Sequence, residues 1–348
     1  MSRLPQIRCP ICESDQCVDF LDVPNVPVTV GSLCQDRGRA LLASKGDLKL
    51  CFCRGCTYIW NRAYQRGKHE YVPGYEISLH FSPTYQQFLD EVADRLVRDY
   101  QLHGKTVLEI ACGSGHFLRM LCKRGVSQAI GIDPVLQREG VEKIGSSQIT
   151  FRRELYSHRH AHLEADFICC RQALHAIPSP EELVRVVRAA IGEGKRTPVY
   201  FEVVNAASLF KSQIIWQLIY EYYSFFTPES LTRLFERCGF DVVRSQPCFV
   251  AGQYLELEAF PSSESRHWTE HASCGRQLEL SDVVAFASTF RKKIENWREQ
   301  LSQLARSGRR VLAWGAGGRG TNFLNFVNVT QQEIPYIVDI NPTRQGGF

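Results

Sequence analysis

Apolar residues change their spacing along the chain, and the changes divide it into three segments. From residue 1 to about 70 there is little helical periodicity. From about 71 to 260, short apolar runs alternate with amphipathic stretches, which predicts strands alternating with helices in a mostly parallel sheet. Ser82 and Pro83 offer an N-cap and a first-turn proline, and Phe88, Leu89, Val92, Leu96 and Tyr100 then follow at helical spacing. Thr106 to Ile110 reads as a buried strand, Ala111-Cys112-Gly113-Ser114-Gly115 as a turn, and His116 to Lys123 as the next helix. A second strand, Ala129 to Ile132, ends at Asp133. Pro261-Ser262-Ser263-Glu264-Ser265 and the polar residues up to 273 read as a linker. Beyond it, Phe286, Phe290, Ile294, Trp297, Leu301 and Leu304 fall on one helical face. A strand over Arg310 to Trp314, a helix from Thr321 and a strand ending at Asp339 close the chain.

The expected fold is therefore α/β: a Rossmann-like core over 71–260, preceded by a small unit over 1–70 and followed by a second Rossmann-like subdomain over 261–348. At 348 residues, 44% of them hydrophobic, the chain can bury a sizeable core and disorder is excluded as the default. A formal charge of +4, with both signs mixed, excludes a dedicated nucleic-acid binder. The start, Met1-Ser2-Arg3-Leu4-Pro5, lacks a signal-peptide core, and no run approaches the roughly 18 apolar residues of a membrane span. The expected partner is a small molecule, with neither nucleic acid nor membrane involved, and the expected compartment is the cytoplasm. Oligomeric state is not readable.

Seven of the 14 cysteines fall within the first 60 residues. Cys9-Pro10-Ile11-Cys12 and Cys53-Arg54-Gly55-Cys56 form two C-x-x-C pairs separated by 40 residues. Two thiolates from each turn suit a closed, tetrahedral, structural zinc site. Redox chemistry fits less well, because a redox pair should follow a strand and open a helix. Cys51 lies close by, but the spacing favours Cys53.

In the core, glycines at 113 and 115 let backbone approach a ligand closely, and an acid at Asp133 can hold a ribose diol. VLEIACGSGHFL resembles the E/D-x-G-x-G-x-G signature of class I S-adenosylmethionine-dependent methyltransferases. On that likeness Glu109, Ala111, Gly113, Gly115 and Asp133 are the cofactor-binding residues. Ala111 stands where the first glycine is usual, and is compatible with the turn if its φ is negative. A second turn, Gly315-Ala316-Gly317-Gly318-Arg319-Gly320, is a literal G-x-G-x-x-G with Asp339 24 residues after Gly315. By spacing alone it fits NAD; a structural turn, or contact with a substrate phosphate through Arg319, are the other readings.

The knuckle pair, the core and the trailing unit together resemble the bacterial zinc-containing C-methyltransferases that modify nucleotide-linked keto-deoxysugars. The likeness spans nearly the whole chain, through YEISLHFSPTYQQF, VLEIACGSGHFL, GIDP, CRQALHAIPSP, YFEVVN, YEYYSFFTPESL, VLAWGAGGRGTNFLNF and VDINP. It implies S-adenosyl-L-methionine as cofactor, structural Zn2+, and methylation of a carbon next to a ketone after a base removes a proton. The family's base is a histidine after the Glu of Y-E-H-x-x-Y-F; here Glu221 matches, but Tyr222 replaces the histidine. A second family histidine, in L-E-H-I, is also replaced, leaving His175 one place earlier. Glu221, Tyr222 and His175 are thus the catalytic candidates, with Tyr75, Tyr223 and Arg319 on the substrate side. Tyr222, Tyr223 or His175 takes over as base, or the acceptor needs no strong base and is an oxygen, nitrogen or activated carbon. Packing at a domain contact is the plain alternative for the aromatic run, as is a structural role for His175. A silent cofactor-binding scaffold is the reading outside enzymology. By the same likeness, the last subdomain ends at Phe348, short of the length expected.

Overall fold

The computed structural model describes residues 7–31, 33–34, 36–69, 71–73, 75, 79–262 and 278–347. The N-terminal part holds β1 (Cys17–Pro27), α1 (Arg37–Leu41), β2 (Lys45–Cys53) and β3 (Ile59–Asn61). Then come α2 (Pro83–Asp99), β4 (Thr106–Ile110), α3 (His116–Lys123), β5 (Gln128–Ile132), β6 (Gly140–Ile144), β7 (Ser147–Arg152) and β8 (Phe167–Arg171). They are followed by α4 (Pro180–Ile191), β9 (Val199–Val204), α5 (Ala206–Lys211), β10 (Ser224–Phe225), α6 (Pro228–Arg237), β11 (Phe240–Cys248) and β12 (Tyr254–Pro261). The chain closes with α7 (Leu280–Arg306), β13 (Ala313–Trp314), α8 (Gly318–Val327) and β14 (Ile337–Val338). No helix among the described residues is long and apolar enough to cross a membrane.

Eight strands form one sheet in the order β11-β12-β9-β8-β4-β5-β7-β6. The five central strands, β9-β8-β4-β5-β7, pair in parallel, and the outer pairings are antiparallel. Side chains alternate between the two faces. Val107, Cys169 and Tyr200 join a core with Leu89 and Val92 of α2 and Leu118 of α3. Leu108, Ile168 and Phe201 join the other core, with Val184 and Val187 of α4 and Leu234 of α6. Burial on both faces explains why β8 and β9 are apolar almost throughout instead of alternating. Strand order reverses at β4, which has β5 on one side and β8 on the other. A crevice outside the carboxyl ends of the strands is expected at such a reversal.

The second sheet runs β1-β2-β3-β10. Its last strand, Ser224–Phe225, comes from beyond β9 and pairs with Ile59 and Trp60. The N-terminal unit expected over 1–70 therefore does not close on itself; pairing with β10 satisfies the edge of β3, which is buried throughout.

Three local expectations are corrected. Ser82 and Pro83 do start α2, but the Ser82 side chain makes no cap hydrogen bond. In α7, Phe286, Phe290, Ile294 and Leu301 are buried, whereas Trp297 is 39% exposed, with its ring centroid 5.2 Å from that of Phe323. The strand expected over Arg310–Trp314 shrinks to two residues, Ala313–Trp314, paired with β14, and Trp314 is 75% exposed. Of the expected linker, Pro261 ends β12 and residues 263–277 lie outside the described residues.

Candidate active site

The glycine turn leaves β4 at its carboxyl end and leads into α3. Gly113 and Gly115 have φ of 54° and 81°, the left-handed region glycine enters without penalty. A Cβ on Gly115 would come within 2.4 Å of the Phe151 ring, whereas one on Gly113 would point into open space. The turn is thus closed below by packing and open above. Ala111 has φ of 57°, not the negative value the sequence reading required. An L-residue held there costs about 1–2 kcal/mol, so the loss of the usual glycine is a strained substitution. Asp133 holds the turn in place: Oδ2 accepts from Gly113 N at 2.8 Å and Oδ1 from Val135 N at 2.8 Å.

Glu109, beside the turn, is buried, and its Oε2 has no hydrogen-bond partner among the described residues. Burial pushes its pKa up to about 8. An orphaned buried carboxylate oxygen next to an open glycine cradle fits a ligand bearing a cationic donor. The α-ammonium of S-adenosylmethionine is such a group.

Three residues at this edge were not singled out from sequence. Gln172 Nε2 donates to Glu202 Oε1 at 2.7 Å, and Arg171 Nη2 lies 3.4 Å from the same oxygen. Arg171 also lies over the Phe117 ring at 4.3 Å and donates to the Tyr85 hydroxyl at 3.1 Å. Glu202 is completely buried. An acid inside the run Val199-Tyr200-Phe201-Glu202-Val203-Val204, and an arginine ending another apolar run, were the available signals.

An isolated bridge between Asn205 and Phe226 ties the aromatic run to the carboxyl end of β9. Within it, Glu221 is buried; its Oε1 accepts from Val30 N at 2.8 Å and its Oε2 accepts the Tyr75 hydroxyl. Burial raises its pKa to about 6, against the lowering effect of those two bonds. Tyr75 and Glu221 are thus brought together across the chain. Tyr222 sits edge-on against His175, with ring centroids 4.4 Å apart. Burial, and then the charge of Glu221, push the Tyr222 hydroxyl above its usual range, so it stays protonated at neutral pH and is a donor. His175 is buried, its Nδ1 lacks a partner among the described residues, and burial lowers its pKa to about 3. Arg319, on α8, donates to Gln217 Oε1 at 2.7 Å and Gln253 Oε1 at 2.8 Å, and its charge reaches Tyr222. Tyr223 lines an outer cleft of about 440 Å³ with Arg8, Arg62 and Arg66.

His69 was not anticipated. Its side chain is buried, with Nδ1 2.9 Å from Thr29 Oγ1 and 4.0 Å from Glu221 Oε1. No spacing rule joins a histidine in that loop to a glutamate on the far side of the core.

The sulfurs of Cys9, Cys12, Cys53 and Cys56 all lie within 4.8 Å of one another, with Cys9–Cys56 at 3.6 Å and Cys12–Cys53 at 3.5 Å. A tetrahedral Zn–S₄ centre has sulfurs about 3.8 Å apart, so the quartet fits zinc, and Cys51 stands outside it. The thiols of Cys53, Cys56 and Cys9 drive Cys12 far below its usual pKa. Next to the second knuckle, Tyr58 bonds Ser224 Oγ at 2.6 Å and stacks on Trp60. The knuckle thereby braces the strand that follows Tyr222 and Tyr223.

The second turn repeats the first. Asp339 Oδ2 accepts from Ala316 N at 2.6 Å and its Oδ1 from Asn341 N at 2.7 Å, as Asp133 does with Gly113 and Val135. As in the first turn, open and packed glycines occur together: Gly315 and Gly317 face open space, while a Cβ on Gly318 would meet Ile219 at 2.7 Å and one on Gly320 would meet the Gly315 carbonyl at 2.0 Å. Packing therefore accounts for Gly318 and Gly320.

Two family models match parts of the chain. The family described as a methyltransferase domain matches residues 82–245, and the C-methyltransferase C-terminal domain matches residues 267–348. The chain is 25% identical over 361 residues to the C-methyltransferase NovU of Streptomyces niveus, covering 98% of this chain and 83% of that protein. It is 22% identical over 152 residues to the ubiquinone biosynthesis O-methyltransferase of Aeromonas salmonicida (strain A449), covering 40% of this chain and 63% of that one. Among solved structures, magnesium protoporphyrin IX methyltransferase (ChlM) from Synechocystis PCC 6803 aligns over 51% of this chain and 84% of its own, at 18% identity and TM-score 0.38.

Proposed function

The chain belongs to the S-adenosylmethionine-dependent methyltransferases and carries a C-methyltransferase C-terminal domain, and from that premise we propose that it methylates the carbon beside the ketone of a nucleotide-linked keto-deoxysugar. S-adenosylmethionine supplies an electrophilic methyl group on a sulfonium. Gly113 and Gly115 are assigned to the close approach of its methionine end, Glu109 to the ammonium, and Asp133 to the ribose diol. Asp133 already accepts two backbone N–H bonds, and a carboxylate has acceptor sites to spare.

The observation that carries the acceptor reading is the buried Glu221, held by Val30 N–H and Tyr75 O–H. A buried carboxylate with a pKa near 6 is placed to stabilise the positive charge that a proton acceptor develops. Oxygen or nitrogen acceptors need no such device when they already carry a nucleophilic lone pair. Protonated Tyr222 is assigned to donate to the sugar ketone or a hydroxyl, and Arg319 and Tyr223 to the rest of the substrate. Zinc, held by Cys9, Cys12, Cys53 and Cys56, is structural: four thiolates leave no open position for chemistry.

The test is release of S-adenosylhomocysteine from S-adenosylmethionine in the presence of a nucleotide-linked keto-deoxyhexose. Turnover with the keto sugar, and none with the sugar reduced to its alcohol, is the expected result. Equal turnover with the alcohol would transfer the reading to O-methylation.

A further inference from the structure

Both histidines of the resembling family are replaced in this chain, yet a neutral imidazole stands beside Glu221 from a different segment. We propose that His69 is the base of the methylation, its Nε2 taking the proton from the carbon next to the ketone while Thr29 Oγ1 accepts the other proton from Nδ1 and the charge of Glu221 favours it there. The proposal rests on the C-methylation reading above.

Three observations carry it. First, Nδ1 of His69 faces two oxygens, Thr29 Oγ1 at 2.9 Å and Glu221 Oε1 at 4.0 Å. A carboxylate on that side favours the tautomer with the proton on Nδ1, which leaves the Nε2 lone pair free. Second, Nε2 is buried and has no hydrogen-bond partner among the described residues. Such an atom costs folding free energy unless a ligand uses it. Third, the ring is boxed edge-on by Tyr71, with centroids 4.4 Å apart, and by Tyr75 at 5.7 Å, so its orientation is fixed. Tyr71 lies within the fields of both Glu221 and Asp133.

Burial alone lowers the pKa of His69 to about 4, so the imidazole is neutral at neutral pH and able to accept a proton. Ionised Glu221 then stabilises the imidazolium. His175 also has an unpartnered nitrogen, but among the described residues no carboxylate pairs with it as Glu221 does with His69. In the step itself, the C–H bond breaks, the proton goes to Nε2, and the electron pair passes into the ketone as an enolate. The enolate carbon bonds the methyl group as the S–CH₃ bond breaks onto sulfur, and the proton later leaves the imidazolium for solvent.

The experiment separates proton removal from methyl transfer. Full-length enzyme is loaded with S-adenosylhomocysteine and given a nucleotide-linked keto-deoxyhexose in D₂O, and deuterium entering beside the ketone is followed by mass spectrometry. Wild type should exchange this proton, and His69→Gln should slow both exchange and methylation by roughly 10²–10⁴-fold. S-adenosylhomocysteine affinity and the melting temperature should stay at wild-type values, and exposed His162→Gln should exchange like wild type. Thr29→Val, which removes the Nδ1 partner and leaves the ring in place, should give a smaller loss of exchange, and keeps the test open if His69→Gln misfolds. Undiminished exchange in His69→Gln, or in Thr29→Val should the first variant misfold, overturns the proposal and leaves C-methylation standing. A wild type that neither exchanges nor methylates the sugar overturns the function and this proposal together.

Discussion

The carboxylate of Asp133 accepts the backbone N–H of Gly113 at 2.8 Å and so fixes the turn against the end of the neighbouring strand. Asp339 holds Ala316 the same way, at 2.6 Å. Both turns mix open and packed glycines: a Cβ on Gly113, Gly315 or Gly317 meets nothing within 4 Å, whereas one on Gly115, Gly318 or Gly320 meets its own surroundings. The aspartate-braced glycine turn is thus a structural device that the chain uses twice.

Removing Asp133 should damage the site twice, by freeing Gly113 N–H and by deleting the acceptor assigned to the ribose. Asp133→Ala should weaken S-adenosylhomocysteine binding by about 1–3 kcal/mol, read by calorimetry. An unchanged dissociation constant would remove Asp133 from the cofactor site.

Ala111, at φ 57°, predicts a gain from substitution. Ala111→Gly should stabilise the protein by about 1 kcal/mol, seen as a rise of roughly 2–4 °C in the melting midpoint. A drop in the midpoint would mean that the methyl group's contacts outweigh the backbone strain.

The core was readable because its signals are local. Strand Thr106–Ile110 and helix His116–Lys123 follow from spacing within a few residues, whereas the bond from Gly113 N to Asp133, 20 residues on, was not anticipated. The cysteine quartet was readable across 40 intervening residues because C-x-x-C pairs are distinctive. The φ of Ala111 was not, since the turn imposes it whatever residue is present. His69, Arg171 and Glu202 escaped because tertiary folding alone brings their partners to them. The exposure of Trp297 escaped because a helical face reports what can be buried, not how much covers it.

Glu109 predicts a pH dependence. Its pKa rises from an ordinary 4.5 to about 8, so the folded protein holds this proton more tightly than the unfolded chain. Its contribution to stability is then fully present below about pH 4.5 and is lost as pH rises through about 8. Glu109→Gln should flatten that decline in a melting series. Because an ammonium favours the ionised carboxylate, cofactor binding at pH 7 should release a proton. Calorimetric enthalpies should therefore vary with the buffer's ionisation heat, and should not do so in Glu109→Gln.

Purified protein should contain close to one zinc per chain, and Cys53→Ser should lose it. Because the knuckle braces β10 through Tyr58 and Ser224, metal loss should lower both stability and turnover. A metal-free preparation with full thermal stability would contradict the assignment.

The central claim is that the methyl group goes to carbon, and the bond it forms tests this most directly. With methyl-¹³C S-adenosylmethionine and a nucleotide-linked keto-deoxyhexose labelled with ¹³C throughout the sugar, the product's ¹³C NMR spectrum should show the new methyl as a doublet from one-bond carbon–carbon coupling. The coupled carbon should be the one beside the ketone. A methyl resonance at the shift of an O-methyl or N-methyl group, without that coupling, would contradict the account.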